Sequence, residues 1–307
     1  MLAAFSDAPS QSQAGRAGIV VSGRDIVKNG HVSTVRQHSY QPPGGTFTPV
    51  ETMSFATLRH LNDGATMRAD FHVLAVVRRG QGEVFMDFSR HHLAARSVAW
   101  IPPGVVHRWS DIAGLAGDIV LFVPTAPVTP SSRDVASGLM TGACWTAAAG
   151  AWPLISVALA HLRLEYDAPP GERTGELSSL LLSALLLRID PPAAASQAGS
   201  DAFLRFRYAA EQDFRTHHDV AHYARRLGYS PRTLSRSVHA ATGRSAKDYI
   251  CERLLLEAKR LLAHDHLSQA QCGQRLGFSD AANFSAFFLR ETGLRPGAWQ
   301  RAHAVPS

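Results

Sequence analysis

The sequence predicts an α+β protein of two domains, in which an antiparallel β-barrel precedes an all-α domain with two helix-turn-helix units. Three observations support this prediction. The apolar pattern has a period of two residues between about 45 and 125, and a helical period from Trp152 onward. One supersecondary unit then occurs twice in the last third of the chain. A length of 307 residues is sufficient for two domains.

The N-terminal segment 1–40 is expected to be a flexible arm. Residues 1–18 are rich in Ala, Ser and Gln, and they have neither the basic start nor the apolar stretch of a signal peptide. The three cysteines, Cys144, Cys251 and Cys272, are widely spaced and predict neither a disulfide framework nor a zinc cluster. No apolar run is long enough to span a bilayer. We therefore expect a cytoplasmic protein without a membrane partner.

Short β-rich stretches separated by turn residues predict the barrel within residues 41–150. Ser89–His92 is interpreted as a turn, and Pro102-Pro-Gly104 as a break between strands. The predicted strands are Phe71–Val77, Glu83–Phe88, Ser97–Ile101, Val105–Trp109 and Asp118–Val123.

Residues 151–190 predict two helices with wide apolar faces, separated by the turn at Pro169-Pro-Gly171. Such faces need a cover, which is either the barrel or a second copy of the chain. We favour dimerisation, because a barrel alone is expected to offer little surface to helices. The small, polar, Pro- and Gly-containing segment 191–202 is interpreted as an interdomain linker.

The excess positive charge lies entirely in the last third of the chain. Residues 201–307 carry 16 Lys+Arg and 10 Asp+Glu, whereas residues 1–200 carry 15 of each, so the formal charge of +6 belongs to the C-terminal segment. A compact basic domain next to a neutral one indicates a polyanionic partner, most often nucleic acid.

The repeat in this basic segment predicts two helix-turn-helix units. Leu227-Gly-Tyr-Ser230 recurs 49 residues later as Leu276-Gly-Phe-Ser279, and Thr242-Gly243 recurs 50 residues later as Thr292-Gly293. In each copy a helix stops at a glycine, and a serine stands where the N-cap of the next helix is expected. Pro231, after Ser230, suits the first helical position.

The second helix of such a unit fits the major groove of DNA. Arg is the commonest side chain that recognises guanine there. The predicted DNA-binding residues are Arg232, Thr233, Ser235, Arg236 and His239 in the first unit, and Asp280, Asn283, Ser285 and Arg290 in the second. Because Ala286 and Leu289 replace Arg236 and His239 in the second unit, we expect that unit to recognise bases less well.

Between the two copies, the segment from Ser245 predicts a helix of about 18 residues, roughly 27 Å long. Its apolar face carries Ile250, Leu254, Ala258, Leu261 and Leu262. A rigid helix of this length would allow one protomer to place two recognition helices in successive major grooves. Ser268 and Gln271 then form a capping box that predicts the start of the next helix.

The C-terminal segment 203–303 resembles the DNA-binding domain of AraC/XylS-type bacterial transcription regulators. The resemblance implies a seven-helix domain that binds double-stranded promoter DNA and activates transcription through contact with RNA polymerase. It rests on Leu227-Gly-Tyr-Ser-Pro-Arg-Thr-Leu-Ser-Arg236, Glu257-Ala-Lys-Arg-Leu-Leu262, Leu276-Gly-Phe-Ser279, Phe284-Ser285, Phe288, Thr292-Gly293 and Pro296.

Residues 65–125 are similar to a cupin-type sensor domain, through Gly80-Gln-Gly82 and Pro102-Pro-Gly-Val-Val-His107. Metal-binding cupins carry four ligands, and the corresponding positions here are Met67, Ala69, Val73 and His107. Only the imidazole is a suitable donor, so we expect no metal and no cofactor.

An unidentified small-molecule effector is expected to bind this N-terminal domain. The candidate pocket residues are His72, Trp100, His107 and Trp109.

These features together favour a small-molecule-responsive transcription activator that forms a homodimer and has no catalytic residues. Two alternatives remain open. One is a cupin-type metalloenzyme with a DNA-binding appendage, and the other is an effector-independent regulator whose barrel only dimerises.

Overall fold

The computed structural model describes residues 19–22, 36–40, 48–138, 142–189, 201–263, 265 and 267–303. These residues divide into two compact units, one ending at Ile189 and the other beginning at Asp201. Strands dominate the first unit and the second consists of helices, which confirms the predicted fold class.

The strands of the first unit form two sheets. The six-stranded sheet has the order β1-β2-β4-β9-β6-β7, and the five-stranded sheet has the order β11-β8-β5-β10-β3. Every pairing is antiparallel except that of β2 with β4. The strands are β1 Ile19–Ser22, β2 Arg36–Tyr40, β3 Val50–Ser54, β4 Met67–Ala69, β5 His72–Arg79, β6 Gly82–Met86, β7 Ser89–Leu93, β8 Ser97–Ile101, β9 Val106–Asp111, β10 Ala116–Phe122 and β11 Ala143–Thr146.

Two features of this unit differ from the prediction. Ser89–His92 is not a turn but belongs to β7, because Met86 already pairs with Ser89 and leaves a two-residue loop at Asp87 and Phe88. Asp87 has a φ of +52°, as tight hairpin turns require. A short helix, α1 (Phe55–Leu61), also interrupts the strand pattern, and the side chain of Ser54 caps it.

Both faces of the five-stranded sheet are buried. Along β5, Val73 and Ala75 face the six-stranded sheet, whereas Leu74 and Val76 face the other way, toward helices. This explains why the segment is apolar at every position instead of at alternate ones. The remaining helices of the unit are α2 (Pro130–Ser137), α3 (Trp152–Asp167) and α4 (Thr174–Leu186).

Helices α3 and α4 cover the outer face of this sheet. Ile155, Leu159 and Leu162 of α3 pack with Leu182 and Leu186 of α4 in one cluster with the sheet residues. The expectation that the barrel offers little surface to helices is therefore wrong, since alternate side chains of three neighbouring strands supply an apolar surface of their own.

The predicted arm and linker lie largely outside the described residues. Strands β1 and β2 fall within the segment 1–40, and the other residues of that segment have no description here. Residues 191–200 of the predicted linker 191–202 are likewise outside the described part, and its last two residues belong to helix α5, which begins at Asp201.

Residues 201–303, apart from positions 264 and 266, form seven helices, the number that the resemblance implies. They are α5 Asp201–Asp213, α6 Val220–Leu227, α7 Pro231–Thr242, α8 Ala246–Ala263, α9 Gln269–Arg275, α10 Ala281–Thr292 and α11 Pro296–Ala302. Helix α8 has the predicted 18 residues, and its predicted apolar face is buried. Phe284, Phe288 and Trp299 pack against that helix.

Candidate functional site

The first helix-turn-helix unit consists of α6 and α7. Helix α6 ends at Gly228, whose φ of +74° is the left-handed conformation that favours glycine at this position. Ser230 then caps α7, because its Oγ accepts a hydrogen bond from the N–H of Thr233 at 3.0 Å. Pro231 occupies the first turn, and Gly243 ends the helix in the left-handed conformation. The predicted caps of this unit are confirmed.

Helix α7 is amphipathic in the predicted sense. Leu234 and Val238 are fully buried, whereas Arg232, Arg236 and His239 are exposed. These three side chains follow one another at spacings of four and three residues, so they lie along one face of the helix. Within the described residues, none of the three has a hydrogen bond or an ion pair, which leaves their donors available to an external partner.

The two remaining candidates of the first unit are less available. Thr233 contributes to the cap, because its Oγ1 lies 2.9 Å from Oγ of Ser230. Ser235 is half-buried on the flank of the helix. Both are near the exposed face, but Thr233 already has an intramolecular partner.

The second unit is capped by Asp280, not by Ser279. The Oδ1 atom of Asp280 accepts a hydrogen bond from the N–H of Asn283 at 2.7 Å, so the prediction of a serine cap at this position is wrong. The turn from Gly277 to this cap is one residue longer than the corresponding turn in the first unit. This insertion is the reason why the repeat spacing changes from 49 to 50 residues.

The polar residues of the second unit mostly bond to one another. The Nδ2 atom of Asn283 donates to Oγ of Ser279 at 2.7 Å and to Oδ2 of Asp280 at 2.9 Å. Arg290 pairs with Glu291, with Nη2 and Oε1 2.8 Å apart. Ser285 is half-buried and Ala286 is exposed. Compared with the first unit, this helix offers fewer uncommitted donors.

A network of buried charged side chains holds α8 in place, the helix that connects the two helix-turn-helix units. Glu257 is only 3% exposed, and its carboxylate lies 2.8 Å from Nη2 of Arg215 and 3.5 Å from Nη1 of Arg253. Nε of Arg253 donates to Glu211 at 2.9 Å, and the guanidinium lies 4.0 Å from the ring centroid of Phe214. No local sequence pattern predicts this network, because its partners on α5 and α8 are about 40 residues apart.

The candidate effector residues separate into two pairs. The first pair, His72 and Trp100, lies on the face of the five-stranded sheet that α3 and α4 cover. Nε1 of Trp100 donates to Nδ1 of His72 at 3.1 Å, and the imidazole stacks on Phe122 with 4.5 Å between ring centroids. Burial lowers the pKa of His72 from 6.5 to about 3, so the ring is neutral at physiological pH.

The second pair, His107 and Trp109, lies on β9 of the other sheet. Trp109 belongs to the core between the two sheets, where it meets the ring of Phe55 edge-on at 6.0 Å. His107 is 4% exposed, and its Nδ1 lies 3.4 Å from the carbonyl oxygen of Val105. The two pairs thus belong to different apolar clusters and do not line one common pocket.

The four positions that correspond to cupin metal ligands do face the same interior. Ala69 and Val73 belong to the core between the sheets, with Met67 packed against it. Met67 is paired with His107 in the β4–β9 register. Since this set contributes one imidazole and no carboxylate, its donors do not fit the metal centre of the metal-binding cupins.

An open pocket of about 380 Å³ lies away from all four candidate residues. Arg59 helps to form its wall and donates to the carbonyl oxygens of Ile112 and Leu115 at 3.2 and 2.7 Å. Gly80 is required on this wall, because a Cβ there would lie 1.9 Å from the carbonyl oxygen of Gly114. Of the motifs found in the sequence, Gly80-Gln-Gly82 is the one that lies at this pocket. The lining residues are Ser54, Phe55, Ala56, Arg59, Arg79, Gly80 and 113–117.

Comparison with known proteins agrees with this architecture. Residues 65–127 match the profile of the AraC-like ligand binding domain, and residues 223–302 match that of a helix-turn-helix domain. No helix among the described residues combines the length and the apolar character needed to cross a membrane.

The chain is similar to known transcription regulators, and the similarity extends over most of their length and most of its own. The HTH-type transcriptional activator RhaR of Cronobacter sakazakii is 22% identical over 269 residues, which cover 83% of this chain and 93% of RhaR. RhaR of Escherichia coli O139:H28 is 21% identical over 250 residues, covering 76% of this chain and 86% of RhaR. Among solved structures, ToxT of Vibrio cholerae is 10% identical, covers 83% of this chain and 98% of ToxT, and superposes with a TM-score of 0.35. With a match to the AraC-like ligand binding domain ahead of a match to a helix-turn-helix domain, the chain has the domain order of a transcription regulator of the AraC/XylS type.

Proposed function

We propose that this regulator recognises promoter DNA mainly through the exposed face of α7. The observation that carries the proposal is the row of Arg232, Arg236 and His239, which are exposed on one helix face and have no partner within the described residues. An arginine whose donors are uncommitted can bind O6 and N7 of guanine in the bidentate manner. Arg232 and Arg236 are the proposed base contacts, and His239, Thr233 and Ser235 are proposed to flank them.

The second unit is proposed to contribute mainly phosphate contacts. Its helix α10 presents Ala286 where α7 presents Arg236, and Asn283 is bonded to the cap residues Ser279 and Asp280. Phosphate contacts fix the position of a protein on the duplex but do not distinguish bases. Ser285 and Arg290 are the proposed contacts of this kind, and the net positive charge of residues 201–307 favours them.

The N-terminal domain is proposed to bind a small-molecule effector and to have no catalytic role. Of the four cupin metal positions only His107 supplies a suitable donor, which argues against metal-assisted chemistry at these positions. An effector can change DNA binding only through its different affinity for two arrangements of the protein. By analogy with the transcriptional activator RhaR, we propose that this chain activates transcription. We propose that it does so in the cytoplasm and through contact with RNA polymerase.

We also propose that α3 and α4 form a homodimer through their outer faces. On α3, Leu154, Val157 and Leu164 are 49%, 68% and 60% exposed, although the opposite face of the helix is buried. Leu177 and Leu180 of α4, with Leu187 directly after its end, repeat the same spacing. On each helix, spacings of three and seven residues place the exposed apolar side chains along one face, and the two neighbouring faces are proposed as a self-complementary surface for a second copy.

The DNA proposal is tested with a site obtained by selecting the full-length protein's ligands from a random DNA library. We expect Arg236→Ala to weaken binding to that site and to relax the preference at one base position by about 1–3 kcal/mol. Ala286→Gly is the matched change in the second unit, and we expect no change in binding or base preference. Equal effects of the two substitutions in a gel-shift titration would contradict the assignment of α7 as the main recognition helix.

A further inference from the structure

We propose that Asp213, His217 and His222 form a binding site for a divalent first-row transition cation such as Zn²⁺ at the junction of α5 and α6. One ligand atom from each of the three side chains lies within 4.8 Å of the others. Asp213 is the last residue of α5, His222 belongs to the first turn of α6, and His217 lies on the connection between them. Two imidazoles and a carboxylate are a donor set that suits Zn²⁺, Ni²⁺ or Cu²⁺ and not Mg²⁺ or Ca²⁺.

The hydrogen bonds around His217 prepare one of its nitrogens for a cation. Its Nδ1 lies 2.9 Å from Oγ1 of Thr216, and that hydroxyl donates its own hydrogen to the carbonyl oxygen of Asp213 at 3.2 Å. In the tautomer in which this hydroxyl accepts from the imidazole, the proton resides on Nδ1. The Nε2 atom then carries a lone pair. Metal-bound histidines commonly have this arrangement, in which a neighbouring acceptor fixes the tautomer.

The other two ligands already have a suitable separation. Nε2 of His222 lies 3.1 Å from Oδ2 of Asp213, and two ligands of a tetrahedral cation with bonds of about 2.0–2.1 Å are about 3.3 Å apart. The imidazoles of His217 and His222 stack with 3.7 Å between their ring centroids. Small rotations of exposed or half-exposed side chains therefore bring all three donors to one cation.

The backbone that carries His217 is held at both ends of the connection. Its N–H donates to the carbonyl oxygen of Asp213 at 2.9 Å, and its own carbonyl accepts from the hydroxyl of Tyr223 at 2.8 Å. The imidazole thus projects from a chain segment tied to both helices, which limits the entropy lost when a ligand binds.

Arg226 is the group that a cation must displace. Its guanidinium pairs with Oδ2 of Asp213. Because the Arg226 side chain is 40% exposed, it can turn into solvent and leave the carboxylate to the cation. Binding then replaces an ion pair with metal–ligand bonds between α5 and α6, the first helix of the principal DNA-binding unit. Occupancy should accordingly stabilise the C-terminal unit.

The test uses the full-length protein without an affinity tag, stripped with a chelator and titrated with Zn²⁺ by calorimetry. We expect a binding site for one Zn²⁺ per chain that His217→Ala weakens at least tenfold. His217 is exposed, so this substitution leaves the fold intact, as circular dichroism will show. His60→Ala, which removes an exposed histidine of the N-terminal unit, is the matched control and should retain the site. Zn²⁺ should also raise the thermal midpoint of the wild type more than that of the His217→Ala variant, whereas Mg²⁺ should not.

Two results would overturn the proposal. One is a Zn²⁺ affinity that is equal in the wild type and the His217→Ala variant, which would place the cation elsewhere. The other is the absence of Zn²⁺ binding tighter than millimolar. Neither result affects the proposed DNA contacts of α7, because those are tested separately with Arg236→Ala in a gel-shift titration.

Discussion

The indole N–H of Trp100 donates a hydrogen bond of 3.1 Å to Nδ1 of His72, on the face of the five-stranded sheet that α3 and α4 cover. Only an unprotonated Nδ1 can accept this bond, and the surrounding core holds the imidazole away from water. The pair therefore connects the sheet's stability to the neutral form of His72.

This relationship predicts that the N-terminal domain loses stability in mild acid. Burial lowers the pKa of His72 to about 3 from an unfolded value of 6.5. Between these two pH values the imidazole binds a proton in the unfolded chain but not in the folded one. The contribution of His72 is complete above about pH 6.5 and decreases as the pH falls toward 3. Between pH 7 and pH 5 we expect a loss of about 2 kcal/mol from this residue. Urea unfolding followed by tryptophan fluorescence measures it.

Two variants isolate the histidine responsible. His72→Asn keeps an acceptor near the position of Nδ1 and has no group that titrates in this range, so its stability should be lower at pH 7 but less sensitive to pH. His60→Asn changes an exposed histidine of the same unit and should behave as the wild type. An unchanged pH dependence in the His72→Asn variant would contradict the prediction.

The apolar stripe on α3 and α4 predicts that a single charge disrupts the dimer. Val157 is 68% exposed, so Val157→Asp should leave the folded protomer intact. Burying such a side chain in an interface contributes about 1.5–3 kcal/mol, and an aspartate at that position would also be desolvated. Sedimentation equilibrium should show at least a tenfold weaker dimer. Phe88→Ser, an exposed apolar residue on the β6–β7 hairpin, should have no effect. A monomeric wild type would refute this interface.

The network around Glu257 predicts a large difference between two substitutions that break the same ion pair. Glu257→Ala leaves the buried guanidinium of Arg253 without one of its two carboxylate partners, which should cost about 3–5 kcal/mol of unfolding free energy. Arg215→Ala removes a half-exposed side chain from the same carboxylate and should cost about 0–1 kcal/mol. Denaturant unfolding monitored by circular dichroism at 222 nm compares the two variants. Similar losses of unfolding free energy would contradict the prediction that the Glu257–Arg253 pair is buried and strongly coupled.

The cap of α10 predicts a structural role for Asp280. Asp280→Ala should lower stability by about 1 kcal/mol, because the N–H of Asn283 loses its acceptor. Asp280→Asn keeps a cap and should be nearly neutral. If Asp280 acts only as a cap, Asp280→Asn should also leave the base preference of the selected DNA site unchanged. A changed preference would instead restore Asp280 as a contact to a base.

Local sequence signals were sufficient for most of the C-terminal unit. The position of Ser230 before Pro231, and the capping box of Ser268 and Gln271, predicted helix starts that the structure confirms. Such caps involve residues only three positions apart, so the chain specifies them without long-range contacts. The serine cap of the second unit was predicted wrongly because the inserted residue moved the cap position to Asp280.

In the N-terminal unit, local sequence signals do not predict which elements pack against each face of the sheet. The alternation along β5 placed His72 and Val73 on opposite faces, but did not say that one face meets a second sheet and the other meets helices. His72 and His107 were therefore grouped in one candidate pocket, although His72 stacks on Phe122 of one apolar cluster and His107 lies beside Trp109 of the other. The open pocket around Arg59 and Gly80 is formed by residues more than 50 positions apart, such as Arg59 and Leu115, and was not predicted.

The α+β class, the two helix-turn-helix units and the polar face of α7 follow from the amino-acid order, because periodicity, caps and charge placement are properties of neighbouring residues. Three further features depend on the folded structure: which apolar face of α3 and α4 is covered, which arginines are already paired, and the meeting of Asp213, His217 and His222. These outcomes depend on which distant segments pack together, and the free energy of that packing is shared among many contacts that no local pattern contains.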